Sequence, residues 1–235
     1  MKSLSIIIPA SNEEKHISNT IKDIFKVVKN VKIVVVCNNC EDNTFNVVEN
    51  LRRKNRNIIN LNIKERIGKG GAVLEGFKYI GNSEYASYLD ADNAFYSEDI
   101  LRLVKELDIY DCVIASKWLD NNITDINEKF FKKIFSRIWN LVINALFGLN
   151  VKDSQAGMKF FKKTVVEKIK DEDFICKGFD FDVELLHKIK KYNFKIKEVP
   201  VKIRNIDKKS SFSYKNALKM LINILRYKIA TLKKV

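Results

Sequence analysis

Two carboxylates, Asp90 and Asp92, are the residues whose type and spacing first suggest chemistry. They follow the short apolar run Tyr85–Leu89, which is typical of a buried strand. Residues two apart at a strand end project to the same side, so both carboxylates can bind one hard cation, Mg²⁺ or Mn²⁺, together with phosphate oxygens. The alternative is a solvated turn in which Asp92 or Asn93 bends the chain. The metal interpretation predicts a site for a nucleotide diphosphate.

A glycine-rich segment, Gly68-Lys69-Gly70-Gly71, is a second candidate for ligand binding. Glycines let backbone amides approach a phosphate at a helix N-terminus, and Lys69 adds a positive charge. The segment lacks the Walker pattern Gly-X-X-X-X-Gly-Lys-Ser/Thr. Taken alone, it is also explained by a plain turn.

The cysteines and histidines indicate no metal centre. Cys37 and Cys40 form the only close cysteine pair, and no second pair completes a tetrahedral zinc site. We expect reduced thiols, with a redox Cys-X-X-Cys as the alternative. His16 and His187 have no ligand spacing with each other or with the cysteines.

Strand-like and helix-like segments alternate along the chain. The expected strands are Leu4–Ile8, Val31–Val36, Ile58–Ile63, Tyr85–Leu89 and 111–116. The expected helices cover about 11–29, 42–54, 68–80 and 97–107. Pro9 is expected to end the first strand, and Ser11-Asn12-Glu13-Glu14 has the pattern of a capping box.

This alternation predicts an α/β fold: a Rossmann-like, mostly parallel sheet flanked by helices, in a single domain. Ligands of such sheets bind beyond the carboxyl ends of the strands. Four polar loops each follow a strand and should therefore meet at one edge: Pro9–Glu13, Cys37–Asp42, Gly68–Gly71 and Asp90–Asp92.

Composition and charge limit the number of domains and the classes of partner. A chain of 235 residues with 46% hydrophobic content fits one folded domain. Lysine and arginine number 43 and aspartate and glutamate 29, a net charge of +14 that favours nucleotide diphosphates or an anionic membrane face. The lysines are spread along the chain, which argues against a nucleic-acid partner.

The N-terminus begins directly with a strand-like run, so we expect a cytoplasmic protein. The longest uncharged run, Ile138–Val151, is too short to span a bilayer.

Four ordered motifs resemble those of the family 2 glycosyltransferases of GT-A fold, and most closely the dolichyl-phosphate mannose and glucose synthases. The motifs are Ser5-Ile6-Ile7-Ile8-Pro9-Ala10-Ser11-Asn12-Glu13, Gly68-Lys69-Gly70-Gly71-Ala72, Leu89-Asp90-Ala91-Asp92 and Asp153-Ser154-Gln155-Ala156-Gly157-Met158-Lys159. The resemblance covers about residues 3–213. It implies a catalytic domain over 1–213, and the residue pattern of 214–235 predicts a C-terminal amphipathic basic helix after it.

The resemblance implies a UDP- or GDP-linked sugar donor, held by Mg²⁺ or Mn²⁺ at Asp90 and Asp92. The residues it places at the donor are Pro9, Ala10, Asn12, Glu13, Asn38, Lys69, Gly70, Asp90, Ala91, Asp92, Gln155, Lys208 and Lys209. Cys37-Asn38-Asn39-Cys40 replaces the usual Asp-Asp-Gly-Ser, which leaves the choice between uridine and guanosine open.

The resemblance also implies an acceptor site in the second half of the chain. Lys117 and Lys132 stand where the family has arginines that grip an acceptor phosphate, such as polyprenyl or dolichyl phosphate. Direct displacement would invert the anomeric carbon, with Lys69, Lys208 or Lys209 helping Asp92 and its cation to stabilise the leaving diphosphate. A hydroxyl acceptor would need a general base, for which Asp182 is the candidate.

The C-terminal helix has two interpretations. Its apolar face (Ala217, Leu218, Leu221, Ile222, Ile224 and Leu225) and its basic residues suit contact with the inner face of a membrane. Packing on the domain explains the same pattern. Two further functions stay open at this point: a sugar-phosphate nucleotidyltransferase, which should carry a richer glycine loop after the first strand, and a non-catalytic basic binding module.

Overall fold

A computed structural model describes residues 2–119, 130–204 and 214–233, apart from the side chains of 130–135 and 214–216. The strands are β1 (Leu4–Ala10), β2 (Val31–Asn38), β3 (Ile58–Ile63), β4 (Tyr85–Leu89), β5 (Cys112–Ser116), β6 (Met158–Lys162) and β7 (Ile196–Pro200). The helices are α1 (Ile17–Val27), α2 (Thr44–Lys54), α3 (Gly68–Phe77), α4 (Asp99–Glu106), α5 (Phe130–Phe147), α6 (Lys163–Ile169), α7 (Phe181–Lys191) and α8 (Tyr214–Leu232).

The strands form one seven-stranded sheet in the order β3-β2-β1-β4-β6-β5-β7. β1 pairs in parallel with β2 and β4, and β5 pairs in parallel with β7. β6 inserts between β4 and β5 and is antiparallel to both. The predicted α/β fold with a mostly parallel sheet is confirmed.

Both faces of the sheet are covered by helices. Side chains alternate along β1, so Ile7 packs on one face while Ile6 and Ile8 pack on the other. Helices α3, α5, α6, α7 and α8 cover the first face, and α1, α2 and α4 cover the second. The polar loops are thereby left at the edge of the sheet where the parallel strands end.

β1 runs two residues past the predicted end at Ile8, and Pro9 lies inside it. β1 pairs with β4 only through Ile7, whereas its pairing with β2 continues to Ala10. Pro9 lacks an N–H group, but the β4 side of the strand is no longer paired at that point. A proline is therefore tolerated in this central strand.

The predicted capping box was wrong. α1 begins at Ile17, six residues after Ser11, and its N-cap residue His16 makes no side-chain cap bond. The backbone N–H groups of Glu13 and Glu14 instead donate to Thr44 Oγ1 at 2.8 Å and to Asp42 Oδ2 at 3.1 Å. The segment is therefore held as a loop by its neighbour after β2.

The other predicted helix ends differ slightly from the observed ones. α1 ends at Val27 and not at Lys29, α3 ends at Phe77 and not at Ile80, and α4 covers Asp99–Glu106. Across the described residues, none of the helices is both long and apolar enough to cross a membrane.

Candidate active site

The four polar loops meet at one edge of the sheet, each in contact with the next. Asn12, in the loop after β1, accepts a hydrogen bond at its Oδ1 from the backbone N–H of Glu41, 2.8 Å away in the loop after β2. Asn12 has a φ of 58°, a conformation that asparagine tolerates better than most residues. Asn38 Oδ1 in turn accepts from the N–H of Ile67, 3.0 Å away at the start of α3.

The third and fourth loops are joined by an ion pair. Lys69 Nζ lies 2.9 Å from Asp90 Oδ1. The N–H of Asp90 donates to the carbonyl of Gly157 at 2.9 Å, which adds the start of β6 to the cluster. The structure thus brings together the segments that the sequence predicted would share one edge, together with the Asp153–Lys159 motif.

Asp90 and Asp92 offer hard oxygen ligands that fit a divalent cation. The Asp90 side chain is 35% exposed and Asp92 is half-buried, with its Oδ1 accepting from the N–H of Ala94 at 3.1 Å. The Lys69 ammonium already places one positive charge on Asp90. A Cβ built on Gly157 would lie 1.9 Å from Asp90 Oδ2, so the glycine leaves the space that this carboxylate occupies.

A larger cluster of metal ligands is absent from the residues that the structure describes, where no three His, Cys, Asp or Glu side chains could hold an ion together. Mg²⁺ is commonly held by one or two carboxylates plus substrate phosphates. Asp90 and Asp92 match that pattern, because the remaining ligands would come with a nucleotide. The assignment of both residues to a metal stays a prediction.

Beneath Asp90 lies a buried ion network that the sequence analysis did not anticipate. Asp182 is 1% exposed; its Oδ1 is 2.6 Å from Lys159 Nζ and its Oδ2 is 3.5 Å from Lys69 Nζ. The hydroxyl of Tyr88 donates to Asp182, and Lys159 also donates to the carbonyl of Ala156 at 2.6 Å. A lysine inside the apolar strand Met158–Lys162 was the available signal for this pair.

The charges of this network set the ionisation of its members. Burial raises the pKa of Asp90, and the positive charge of Lys69 partly opposes that rise. Burial would lower the pKa of Lys69, but the charges of Asp182 and Asp90 outweigh it and the pKa is raised. Burial would raise the pKa of Asp182, but Lys159 and Lys69 more than compensate and it is lowered. Asp182 is therefore a buried carboxylate neutralised by two lysines.

The glycine-rich segment packs against the loop before α7, and this packing uses the Gly70 amide that was expected to face a phosphate. The N–H of Gly70 donates to the carbonyl of Lys177 at 2.9 Å. A Cβ on Gly70 would lie 2.4 Å from Phe181 Cγ, and one on Gly68 would lie 2.2 Å from the Lys177 carbonyl oxygen. These glycines are required by close packing, and the Gly70 amide is already used within the protein.

At the far side of the edge lie the residues expected to hold the nucleobase and ribose. Pro9 and Ala10 end β1, and the Ala10 carbonyl accepts from the Cys40 thiol at 3.5 Å. Cys37 and Cys40 are free thiols, and hydrogen bonding with Cys37 lowers the pKa of Cys40. Asn38 is buried and its carbonyl oxygen is committed to Ile67, so its amide nitrogen is the group left for a base edge.

Two other residues assigned to the donor make contacts within the protein. The carbonyl of Ala91 accepts from Thr20 Oγ1 at 2.8 Å, and Gln155 Nε2 donates to the carbonyl of Phe179 at 3.1 Å. Both contacts position the loops that carry them. Their roles toward a donor stay predictions.

On the acceptor side, two cations contact the same indole ring. Lys117 Nζ lies 5.1 Å and Arg137 Cζ 5.0 Å from the centroid of Trp118. The N–H of Lys117 donates to Asp153 Oδ2 at 3.2 Å, and burial raises the pKa of Asp153 to about 6. Arg137, next to Ser136 on α5, was not predicted from the sequence. The side chain of Lys132 lies outside the described residues.

Arg204 anchors the chain after β7 to the acidic loop. Its N–H donates to the carbonyl of Ala94 at 2.7 Å, and its Nη1 donates to Asn93 Oδ1 at 2.6 Å and lies 3.2 Å from Asp23 Oδ2. Arg204 is the last residue that the structure describes before the gap at 205–213. Lys208 and Lys209 lie within it, outside the described residues.

Comparison with known proteins identifies the family. The model for glycosyl transferase family 2 matches residues 5–170, which hold the four loops, both candidate metal ligands and the Asp153–Lys159 motif. The chain belongs to glycosyl transferase family 2. It is therefore a glycosyltransferase, and the family predicted from the four motifs is confirmed.

Individual glycosyltransferases resemble this chain over most of its length. A dolichyl-phosphate beta-glucosyltransferase of Dictyostelium discoideum is 27% identical over 95% of this chain and 73% of its own length. The glycosyltransferase AglD of Haloferax volcanii is 24% identical over 84% of this chain, which spans only 32% of that protein.

The fold is shared with solved structures. Glucosyl-3-phosphoglycerate synthase from Mycobacterium tuberculosis, crystallised with Mn²⁺, UDP-glucose and phosphoglyceric acid, superposes with a TM-score of 0.69 at 15% identity, over 97% of this chain and 80% of the other. The predicted GT-A fold is confirmed.

Proposed function

We propose that this glycosyltransferase transfers a sugar from a UDP- or GDP-linked donor to a polyprenyl or dolichyl phosphate, with inversion, at the inner face of a membrane. The donor diphosphate binds at Asp90 and Asp92 through Mg²⁺ or Mn²⁺, which supplies charge stabilisation for the leaving group. Lys69 adds a second cation beside Asp90. The observation that carries the donor site is the convergence of four loops and two hard carboxylates on one sheet edge.

The acceptor is a phosphate and not a hydroxyl because the candidate general base is inaccessible. Asp182 is 1% exposed and already bonded to Lys159, Lys69 and Tyr88. A hydroxyl acceptor needs a base within hydrogen-bond reach, whereas a phosphate is ionised at neutral pH and needs only to be positioned. Asp182 is then a positioning residue that supports Lys69 from below.

Lys117 and Arg137 are suited to hold the acceptor phosphate. They lie on the same Trp118 ring, and Arg137 supplies the planar fork that Lys117 lacks. Lys132 is on the same helix as Arg137 and is retained as a further candidate. Lys208 and Lys209 follow Arg204, which is anchored beside the acidic loop, and are retained as contacts to the leaving diphosphate.

An outward face of α8 supports a lipid-linked acceptor. Ile224 and Tyr227 face the core, and Tyr227 stacks on Phe147 of α5 with ring centroids 5.6 Å apart. The exposed apolar residues recur every three or four positions: Leu218, Ile222, Leu225, Ile229 and Leu232. We call these five residues the α8 stripe. The helix therefore both packs on the domain and offers an apolar face outward.

Charge complementarity supports an anionic bilayer as the proposed partner of the α8 stripe. Lys219, Arg226 and Lys233 are exposed at seven-residue intervals, each next to a stripe residue, and Tyr214–Leu232 contains no acidic residue. Two copies of this helix would place like charges opposite each other, which opposes self-association. An anionic lipid surface would satisfy the apolar residues and the cations together.

Donor binding is tested by thermal shift with UDP, GDP and their glucose, mannose and N-acetylglucosamine forms, each with and without Mn²⁺. A ligand that binds only the folded state raises the melting temperature. We expect one nucleotide series to give a Mn²⁺-dependent shift that is lost in Asp92→Ala. The absence of a shift with every nucleotide would refute the donor proposal.

Acceptor class is tested with the donor so identified, labelled in its sugar. Undecaprenyl phosphate and dolichyl phosphate in anionic vesicles are compared with 3-phosphoglycerate and with a neutral polyprenol. We expect label to enter the lipid-phosphate product only. Phosphoglycerate carries both a phosphate and a free hydroxyl, so transfer to it would show a soluble acceptor in place of the proposed lipid phosphate. Transfer to the neutral polyprenol, which offers only a hydroxyl, would contradict the inaccessibility of Asp182 as a base.

A further inference from the structure

The buried network at the donor site has an alternating order of charges. Asp90, Lys69, Asp182 and Lys159 follow one another, with Nζ–Oδ distances of 2.9, 3.5 and 2.6 Å. Two positive and two negative groups are thus neutral together.

The two lysines of this network are held differently. Lys159 is fully buried and bonded to Asp182 and to the Ala156 carbonyl, both at 2.6 Å. The Lys69 side chain is 12% exposed and lies between two carboxylates, closer to Asp90 than to Asp182. Lys159 is therefore the fixed counter-ion of Asp182, and Lys69 has two alternative partners.

A divalent cation and the Lys69 ammonium compete for the same carboxylate. Lys69 is paired with Oδ1 of Asp90. Gly157 packs against Oδ2, since a Cβ added to Gly157 would lie 1.9 Å from that oxygen. A cation on Asp90 and Asp92 would therefore meet the Lys69 charge in a partly buried site, where repulsion is poorly screened. Asp182 Oδ2 is the carboxylate to which Lys69 can turn.

We propose that Lys69 is an internal competitor of the divalent cation: it neutralises Asp90 when the cation is absent and is displaced toward Asp182 and the donor diphosphate when the cation binds. This inference rests on the proposed metal site. It makes the cation bind weakly by itself and more tightly with a nucleoside diphosphate, whose oxygens offer Lys69 a new partner. Such coupling between two ligands is reciprocal.

The test is a titration of the full chain with Mn²⁺ alone. Binding is measured by calorimetry and, independently, by the electron paramagnetic resonance signal of free Mn²⁺. We expect Lys69→Met to bind Mn²⁺ about tenfold or more tightly than the parent protein. Lys69→Gln, which can still donate to Asp182, should show the same gain if loss of the charge is the cause. Agreement of the two variants guards against a packing artefact of either.

Lys78→Met is the matched control, because Lys78 follows α3 directly and is paired with Glu75 on the surface at 2.7 Å. It removes the same charge and should leave Mn²⁺ affinity unchanged. Titration of UDP and of GDP with and without Mn²⁺ should show that the coupling between cation and nucleotide is smaller in Lys69→Met than in the parent.

Two results would overturn the inference while leaving the metal site in place. One is an unchanged or weaker Mn²⁺ affinity in both Lys69 variants with intact circular dichroism, and the other is an equal gain in Lys78→Met. Loss of the proposed function is distinguishable, since it would appear as the absence of donor binding and transfer in the parent protein. Failure of Mn²⁺ to bind any of these proteins would refute the metal site and this inference together.

Discussion

Gly157 and Asp90 are in such close contact that a single added carbon at Gly157 would lie 1.9 Å from the Asp90 carboxylate. The two residues are far apart in the chain and are joined by the hydrogen bond from the Asp90 N–H to the Gly157 carbonyl. The residue after β4 and the residue before β6 therefore form one unit of the candidate site.

Gly157→Ala should displace the Asp90 carboxylate and reduce activity. A misplacement on the order of 1 Å costs roughly 100-fold in rate at a preorganised site. We expect the sugar-transfer rate to fall by about that factor and the Mn²⁺-dependent thermal shift to shrink, while the circular dichroism spectrum is retained. Full activity in this variant would show that the Asp90 carboxylate is not required where the structure places it.

Asp182→Asn should destabilise the fold, because it leaves Lys159 buried without a counter-charge. Breaking a buried ion pair costs about 3–5 kcal/mol. The free energy of unfolding in urea measures this, with Glu75→Gln at the exposed Glu75–Lys78 pair as the control, expected to cost below about 1 kcal/mol. Equal and small effects in both variants would contradict the supporting role of Asp182.

His187→Gln should change the pH dependence of stability. Burial, with the charges of Lys228 and other nearby lysines, lowers the pKa of His187 to about 4 from 6.5. The unfolded chain then binds more protons between these values, so this residue makes stability fall as the pH drops from about 6.5 to 4.

Between pH 6.5 and pH 4, the free energy of unfolding of the variant should therefore fall by about 2 kcal/mol less than that of the parent, as measured by urea unfolding. Asp153 acts in the opposite sense, since its raised pKa makes stability fall as the pH rises toward 6. The difference between parent and variant isolates His187. Superimposable pH profiles would contradict the prediction.

Leu225→Glu should weaken membrane binding by placing a negative charge in the middle of the α8 stripe. Sedimentation with vesicles rich in anionic lipid should recover the parent in the pellet and the variant in the supernatant. Ile109→Glu makes the same change at an exposed apolar residue elsewhere and should sediment like the parent. Recovery of the parent in the supernatant at low salt would count against a bilayer as the partner of the α8 stripe. Concentration-dependent dimerisation of the parent would indicate that a second copy of the chain covers the stripe instead.

Arg137→Ala should weaken acceptor binding and spare the donor. A hydrogen bond to a charged group contributes about 1.5–3 kcal/mol, so KM for the lipid phosphate should rise about tenfold or more. Nucleotide affinity should stay at the parent value. Arg53→Ala, at an exposed arginine of α2, is the control. A selective loss of donor affinity in Arg137→Ala would instead assign Arg137 to donor binding.

The sequence predicted what depends on local patterns. The alternation of strands and helices predicted the mostly parallel sheet, and the polar loops after β1, β2 and β4 predicted the edge that carries Asn12, Asn38 and Asp90. These features follow from periodicity and from the rule that parallel strands end on the same side.

The features that were missed depend on contacts between distant segments. Ser11–Glu14 has the pattern of a helix cap, but the loop around Asp42 offers its backbone better partners. Gly70 suits a phosphate cradle, but its amide faces the Lys177 carbonyl. Lys159 is an ordinary lysine until β6 inserts beside β4 and places it against Asp182.

The antiparallel insertion of β6 has a consequence for how the enzyme is made. The first four strands need only the chain up to Leu89 to pair with one another, but β4 keeps one edge open until Met158–Lys162 has been synthesised. Pairing across such a long sequence interval is slow, and an open strand edge invites aggregation. The nascent protein therefore holds four strands that can pair while the open edge of β4 still waits for β6, and a truncation ahead of Met158 should yield an insoluble fragment rather than a weakened enzyme.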